Sequence, residues 1–177
     1  MAISLRPVSP GDLATIDSWA ADLGSEAPSR TRPFCARADR HDPASGLFWY
    51  LVIADDRAVG TVWIERLTGE PEARLGVFLG SASDFGRGIG QEALQLAIAE
   101  FRGAFPDKPI ALHVRQFNER AIRCYRSVGF EVVDTGSKAS LSGESVAFYT
   151  MVCPSHDLVA DSPNKAFVGV TLSPWDS

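Results

Sequence analysis

The sequence from 75 to 94 reads Leu75-Gly-Val-Phe-Leu-Gly-Ser-Ala-Ser-Asp-Phe-Gly-Arg-Gly-Ile-Gly-Gln-Glu-Ala-Leu94. Its first part is strand-like, and the positions after 89 show apolar residues at the period of a helix. Three glycines stand at alternate positions where the strand pattern gives way to the helix pattern: Gly86, Gly88 and Gly90. Such glycines let the backbone approach a ligand, and the helix that follows presents its positive N-terminal end. The junction therefore predicts a strand–loop–helix unit that holds phosphate.

The rest of the chain alternates between strand and helix patterns around this unit. Alternating or β-branched runs predict strands at 3–8, 47–54, 58–67, 72–80, 110–114, 131–134 and 145–153. Apolar spacing predicts helices at 13–23, 89–101 and 118–128, and we place a further short helix in the connection 25–46. The order β-α-α-β-β-β-α-β-α-β-β predicts an α/β fold with a mixed, mostly antiparallel central sheet flanked by helices.

Composition favours one soluble domain and excludes several function classes. The 177 residues are 45% hydrophobic and carry a net charge of -5, which argues against charge-driven binding to nucleic acid or to an anionic membrane. No apolar run approaches the ~18 residues of a membrane span, and the N-terminus lacks the pattern of a secretory signal. Cys35, Cys124 and Cys153 show neither disulfide nor zinc spacing, so we expect reduced thiols, a cytoplasmic location and no metal site.

Several kinds of loop share the glycine pattern. A P-loop would need Gly-Lys followed by Ser or Thr, and that sequence is missing. A dinucleotide fingerprint would need its third glycine one residue later and an acidic residue closing the next strand, which ends at Val114 without one. A coenzyme A pyrophosphate loop remains, with Arg87 as a charge-assisted contact, beside the alternative of a connection that binds no ligand.

The stretch 75–94 resembles the acetyl-CoA-binding motif of the GNAT superfamily of N-acetyltransferases, a strand, a loop of the form [Gln/Arg]-x-x-Gly-x-[Gly/Ala] and a helix. Gly88 and Gly90 fill the two small-residue positions, and Phe85 stands where Gln or Arg is usual. Many members of the branch that resembles ribosomal-protein and aminoglycoside-type acetyltransferases have an aromatic residue at that position. Phe85 therefore indicates this branch of the family.

A second motif agrees with the first. The stretch Asn118-Glu-Arg-Ala-Ile-Arg-Cys-Tyr-Arg-Ser-Val-Gly-Phe130 is similar to the family's Asn-x-x-Ala-x-x-x-Tyr-x-x-x-Gly-Phe. Asn118 and Tyr125 are seven residues apart and so share one helix face. The resemblance predicts one acetyltransferase domain at 1–153. It leaves 154–177 as a C-terminal tail, in which 166–172 has the character of an extra edge strand.

The resemblance implies direct attack of a primary amine on acetyl-CoA, without a covalent enzyme intermediate. It places the backbone of Val77, Phe78 and Leu79 along the pantetheine arm. It also implies pyrophosphate contacts from the residues of the loop, which are Phe85, Gly86, Arg87, Gly88, Ile89 and Gly90. Asn118 becomes a further cofactor contact. Tyr125 becomes both a cofactor contact and the general acid that protonates the departing sulfur.

The general base and the acceptor stay open. Some family members carry a glutamate at the position of Arg74, and arginine cannot act as a base at neutral pH. Glu72 lies on the same strand face and Glu65 ends the preceding strand, so both are candidates, with bulk water as the alternative. We expect a small-molecule amine as acceptor. A protein N-terminus or lysine, or a non-catalytic acyl-CoA-binding module, is the alternative, and the resemblance also implies a homodimer.

Overall fold

The computed structural model describes residues 1–24, 28, 30–35, 38–139 and 143–155. The described residues form seven strands: β1 (Ile3–Pro7), β2 (Leu47–Ala54), β3 (Arg57–Glu65), β4 (Ala73–Leu79), β5 (Ile110–Arg115), β6 (Glu131–Ala139) and β7 (Ser145–Cys153). They also form three α-helices: α1 (Leu13–Leu23), α2 (Ile89–Ala104) and α3 (Glu119–Ser127). None of these helices is long and apolar enough to cross a membrane.

The seven strands form one mixed sheet in the order β1-β2-β3-β4-β5-β7-β6. Every neighbouring pair is antiparallel except β4 and β5, which are parallel. The predicted fold class, a mostly antiparallel sheet flanked by helices, is confirmed. The β2–β3 hairpin turns at Asp55 and Asp56, whose φ angles of 45° and 64° suit a tight two-residue turn.

The helices cover both faces of the sheet. Since the side chains of a strand alternate between the two faces, each strand can contribute to the core on either side. One core cluster joins α1 to the sheet and contains Val8, Ile16, Leu47, Trp49, Leu51, Trp63 and Phe78. The other face carries the larger core, in which Ile89, Leu94 and Phe101 of α2 pack against the strands. Along β4, Phe78 therefore lies on the α1 side, while Leu75 lies on the α2 side.

The parallel strands β4 and β5 pair over only two positions, Ala73 with Ile110 and Arg74 with Ala111. Ala73 donates its N–H to the carbonyl of Pro109, 2.8 Å away on the β5 side. Gly80 instead donates to the carbonyl of Val59, 2.8 Å away on the β3 side. Because these directions alternate along a strand, odd-numbered residues of β4 direct their backbone groups toward β5.

Beyond Arg74 this edge of β4 has no strand partner among the described residues. The backbone groups of Leu75, Val77 and Leu79 thus line a cleft between two diverging strands. The backbone groups of Phe78 are directed to β3. The cleft lies at the carboxyl ends of two parallel strands, which is where open α/β sheets bind ligands. Hereafter it is called the β4–β5 cleft.

Three sequence predictions differ from the structure or lie outside it. The described residues of the connection 25–46 form a 3-10 turn, Pro43–Ser45, and no α-helix, since prolines interrupt helices; residues 25–27, 29, 36 and 37 lie outside the description. Strand β6 runs five residues past its predicted end at 134, because it pairs with β7 along its whole length. The extra strand predicted at 166–172 lies outside the described residues.

Gly76 lies in the middle of β4 directly beneath the indole of Trp63. A Cβ at this position would come within 2.0 Å of Trp63 Cζ2, and that indole is only 1% exposed. We expect Gly76→Ala to lower the free energy of unfolding by about 3 kcal/mol, because an overpacked core must shift. Urea unfolding measures the change.

Gly103→Ala, in α2, is the matched control, since a Cβ there meets no atom within 4 Å. We expect it to leave stability unchanged or to raise it slightly, because alanine favours helix over glycine. Equal stability of Gly76→Ala and wild type would contradict the tight Trp63–Gly76 contact.

Candidate active site

The glycine loop lies at the carboxyl end of β4 and leads directly into α2. Gly86 and Gly88 have φ angles of 74° and 81°, in the left-handed region that favours glycine. Gly88 is the N-cap of α2 and supplies no side chain, and Glu92 donates its N–H to the Gly88 carbonyl at 3.1 Å. The N–H groups of residues 89–91 precede that first helical bond, so the helix itself leaves them available to an anion.

A buried carboxylate holds the loop in place. Asp84 is 1% exposed and accepts hydrogen bonds from Arg57 Nη2 at 3.0 Å and from Arg87 Nη1 at 2.9 Å. It therefore ties the loop to the start of β3 through charge-assisted bonds. Sequence reasoning missed Asp84. The available signal was an acidic residue three positions before Arg87, just before the first glycine of the loop.

Helix α3 closes the other side of the loop. The Arg120 guanidinium carbon lies 3.6 Å from the centre of the Phe85 ring. A Cβ on Gly90 would lie 3.8 Å from Cys124 Sγ, so the first turn of α2 lies beside α3. The two motifs that resemble the family pattern thus meet at one end of the β4–β5 cleft.

Asn118 and Tyr125 both belong to the α3 motif. Asn118 caps the helix, because its Oδ1 accepts a hydrogen bond from the Ala121 N–H at 3.2 Å. Tyr125 is partly buried, and its ring meets Phe130 edge-on with the centroids 6.0 Å apart. Burial raises the pKa of the Tyr125 phenol above its usual value. The hydroxyl therefore keeps its proton at neutral pH and can donate it.

Glu65, at the end of β3, anchors the connection that follows α1. It is 3% exposed, and its two carboxylate oxygens accept the N–H groups of Phe34 at 2.6 Å and of Cys35 at 2.8 Å. Burial raises the pKa of Glu65, while these two bonds and the nearby Arg30 oppose the rise. Both oxygens already have a donor, so Glu65 holds the connection against the sheet.

Glu72, which precedes β4, differs from Glu65 in its hydrogen bonding. It is 7% exposed, and its buried Oε2 has no hydrogen-bond partner among the described residues. Arg74, two residues later, is 3% exposed and forms a 2.7 Å ion pair with Glu70. Burial lowers the pKa of Arg74, and the charges of Glu70 and Glu72 oppose that change. The amino end of β4 thus carries two glutamates around one buried arginine.

His113 lies on β5 near Arg74. Its ring stacks on Phe148 with the centroids 4.8 Å apart. Burial, followed by the charges of Lys138 and Arg74, lowers the pKa of His113 to about 4. The imidazole is therefore neutral at pH 7. Within the described ranges no group of three or more His, Cys, Asp or Glu side chains could hold a metal ion.

Residues 13–130 match the model of the acetyltransferase (GNAT) family. Solved structures with the same fold include a chimera of the Vibrio cholerae spermidine N-acetyltransferase SpeG and hSSAT, with a TM-score of 0.70 and 17% identity over 91% of this chain and 100% of that one. AAC(6')-Ib in complex with ribostamycin and coenzyme A has a TM-score of 0.60 and 19% identity, over 94% and 100%. The acetyltransferase of the GNAT family from Streptococcus pneumoniae has 0.63 and 16%, over 87% and 99%. No curated protein matches the chain.

Proposed function

Because the chain belongs to the acetyltransferase (GNAT) family, we propose that it moves the acetyl group of acetyl-CoA to a small primary amine by direct attack. The observation that carries this proposal is the β4–β5 cleft, which opens beyond Arg74 and leads to the anion-binding loop at the start of α2. Glu72, whose buried Oε2 has no hydrogen-bond partner among the described residues, comes just before the paired end of β4. This arrangement suits a donor that carries phosphate and an acceptor that carries an amine.

The donor is held mainly by backbone groups. Its pyrophosphate takes the loop Phe85 to Gly90 and the free N–H groups of α2, and Asn118 lies beside it at the start of α3. Its pantetheine amides pair with the exposed backbone groups of Val77 and Leu79, as a further strand would. A backbone N–H of the same edge polarises the thioester carbonyl, where negative charge develops during attack.

Glu72 and Tyr125 move the protons. Glu72 accepts a proton from the ammonium group of the acceptor, directly or through one water, and the neutral amine attacks the thioester carbon. The C–N bond forms as a tetrahedral intermediate, the C–S bond then breaks, and Tyr125 donates its proton to the leaving sulfur. The attacking nitrogen releases its extra proton to solvent water, and water returns a proton to the Tyr125 phenolate. We prefer Glu72 to Glu65 as base because both Glu65 oxygens already accept backbone N–H groups.

The small size of the acceptor is supported by two solved structures with the same fold. They are the spermidine N-acetyltransferase chimera and AAC(6')-Ib with ribostamycin, and spermidine and ribostamycin are small amines.

Thiol release from acetyl-CoA tests the proposal against a panel of polyamines, aminoglycosides, amino acids and short peptides. We expect turnover with at least one small amine and none with peptides. Turnover with peptides alone would identify a protein acetyltransferase. Tight binding of coenzyme A without turnover of any amine would identify an acyl-CoA-binding module.

A further inference from the structure

We propose that Arg120, stacked on Phe85, is the side-chain cation that binds the phosphate groups of coenzyme A at the glycine loop. The inference rests on acetyl-CoA being the donor, and it assigns a specificity-determining residue that lies outside the loop. Arg120 belongs to the first turn of α3, 33 residues beyond Arg87 in the sequence.

The loop's own arginine is already engaged. Arg87 donates to Asp84, and Arg57 donates to the same carboxylate from the start of β3. One buried negative charge thus offsets part of the positive charge of both side chains. Phe85, at the position where the resembling family carries Gln or Arg, brings no polar group of its own. The loop therefore depends on another element for an uncompensated cation.

Arg120 has the geometry of that cation. Its guanidinium lies over the face of the Phe85 ring at 3.6 Å, and it makes no salt bridge within the part of the chain that the structure describes. A cation–π stack orients the guanidinium through its face and uses none of its N–H groups. The N–H donors at the edge of the plane thus remain available for the bidentate contacts that phosphate favours.

The stack also places the charge beside the backbone anion site. Phe85 directly precedes the loop, and Gly90 lies next to Cys124 of α3. Arg120 therefore lies close to the N–H groups that the start of α2 leaves free. A phosphate there receives hydrogen bonds from the backbone and a charge-assisted contact from Arg120. The aromatic side chain takes the place of a direct ligand by holding an arginine from another helix.

Calorimetry without any amine tests the assignment with the full chain. We expect Arg120→Gln to raise the dissociation constant of acetyl-CoA about 10- to 100-fold, the range of charge-assisted hydrogen bonds. Arg123→Gln is the matched control. It removes the same charge from the same helix, but its partner is Glu119 at 3.4 Å. We expect this control to bind acetyl-CoA as wild type does. Phe85→Leu, which removes the ring face, should weaken binding in the same direction as Arg120→Gln.

Three further ligands separate the outcomes. An equal loss for coenzyme A and 3′-dephospho-coenzyme A would place Arg120 on the pyrophosphate, and a loss for coenzyme A alone would place it on the 3′-phosphate. Unchanged binding in Arg120→Gln would overturn the proposal, as would an equal loss in Arg123→Gln or a parallel loss of turnover with S-acetylpantetheine, which has no nucleotide phosphates. Wild type that binds no coenzyme A would instead defeat the proposed function itself.

Discussion

Tyr125→Phe is expected to lower kcat for acetyl transfer about 100-fold or more, within the range that a positioned general acid contributes. The hydroxyl is the only group that phenylalanine lacks, and burial raises the pKa of Tyr125, so the proton is present throughout the neutral pH range. Without the hydroxyl proton the sulfur leaves as a thiolate anion, which is a poorer leaving group than a thiol. The dissociation constant of acetyl-CoA should change little, because the ring and its contact with Phe130 remain.

Stopped-flow thiol detection and calorimetry measure the two quantities separately. Tyr149→Phe is the matched control, since Tyr149 is also partly buried and belongs to β7. We expect its kcat to equal that of wild type. If Tyr125→Phe turned over at the wild-type rate, the sulfur would have to take its proton from water and the assigned acid would be wrong.

Glu72→Gln is expected to lower kcat/KM for the amine about 100-fold at pH 7, since glutamine has a similar shape but cannot accept the proton of an ammonium group. The loss should shrink as the pH approaches the pKa of the amine, because the acceptor then loses its proton to bulk solvent. A pH–rate profile of both proteins measures this convergence. It separates a missing base from a damaged fold, which would lower the rate at every pH.

Glu65→Gln is the natural comparison, because both glutamates are buried at neighbouring ends of β3 and β4. A glutamine there keeps one acceptor oxygen for the N–H groups of Phe34 and Cys35 and loses the other. We expect a smaller loss of kcat/KM with no convergence at high pH. The reverse assignment, with convergence in Glu65→Gln alone, would move the base to Glu65.

The comparison of these two glutamates shows where sequence reasoning reaches its limit. Both occupy strand ends, and spacing alone ranks them about equally. The structure distinguishes them because the connection after α1 folds back and donates two N–H groups to Glu65, while Oε2 of Glu72 has no such donor among the described residues. Contacts between residues 30 apart in the sequence leave no local pattern.

The fold itself was largely readable from the sequence. Strands β2 and β7 have the predicted bounds, and the helix periods of α1 and α2 are those expected, because burial of one face imposes a regular apolar spacing. The end of β6 was misplaced since its second half is exposed, so hydrogen bonding to β7 extends it without an apolar pattern. Within 25–46 the described residues form the 3-10 turn Pro43–Ser45 and no α-helix, because prolines interrupt helices.

The glycine loop shows most clearly which features depend on the local sequence and which depend on tertiary contacts. The sequence by itself determined that a strand, a loop with left-handed glycines and a helix follow one another, because each depends on neighbouring residues. Only the tertiary structure decided that β4 and β5 diverge after Arg74, that Asp84 engages Arg57 and Arg87, and that Arg120 stacks on Phe85. These features join segments distant in the chain, and their free energy comes from burial and charge contacts that exist only once the sheet has formed.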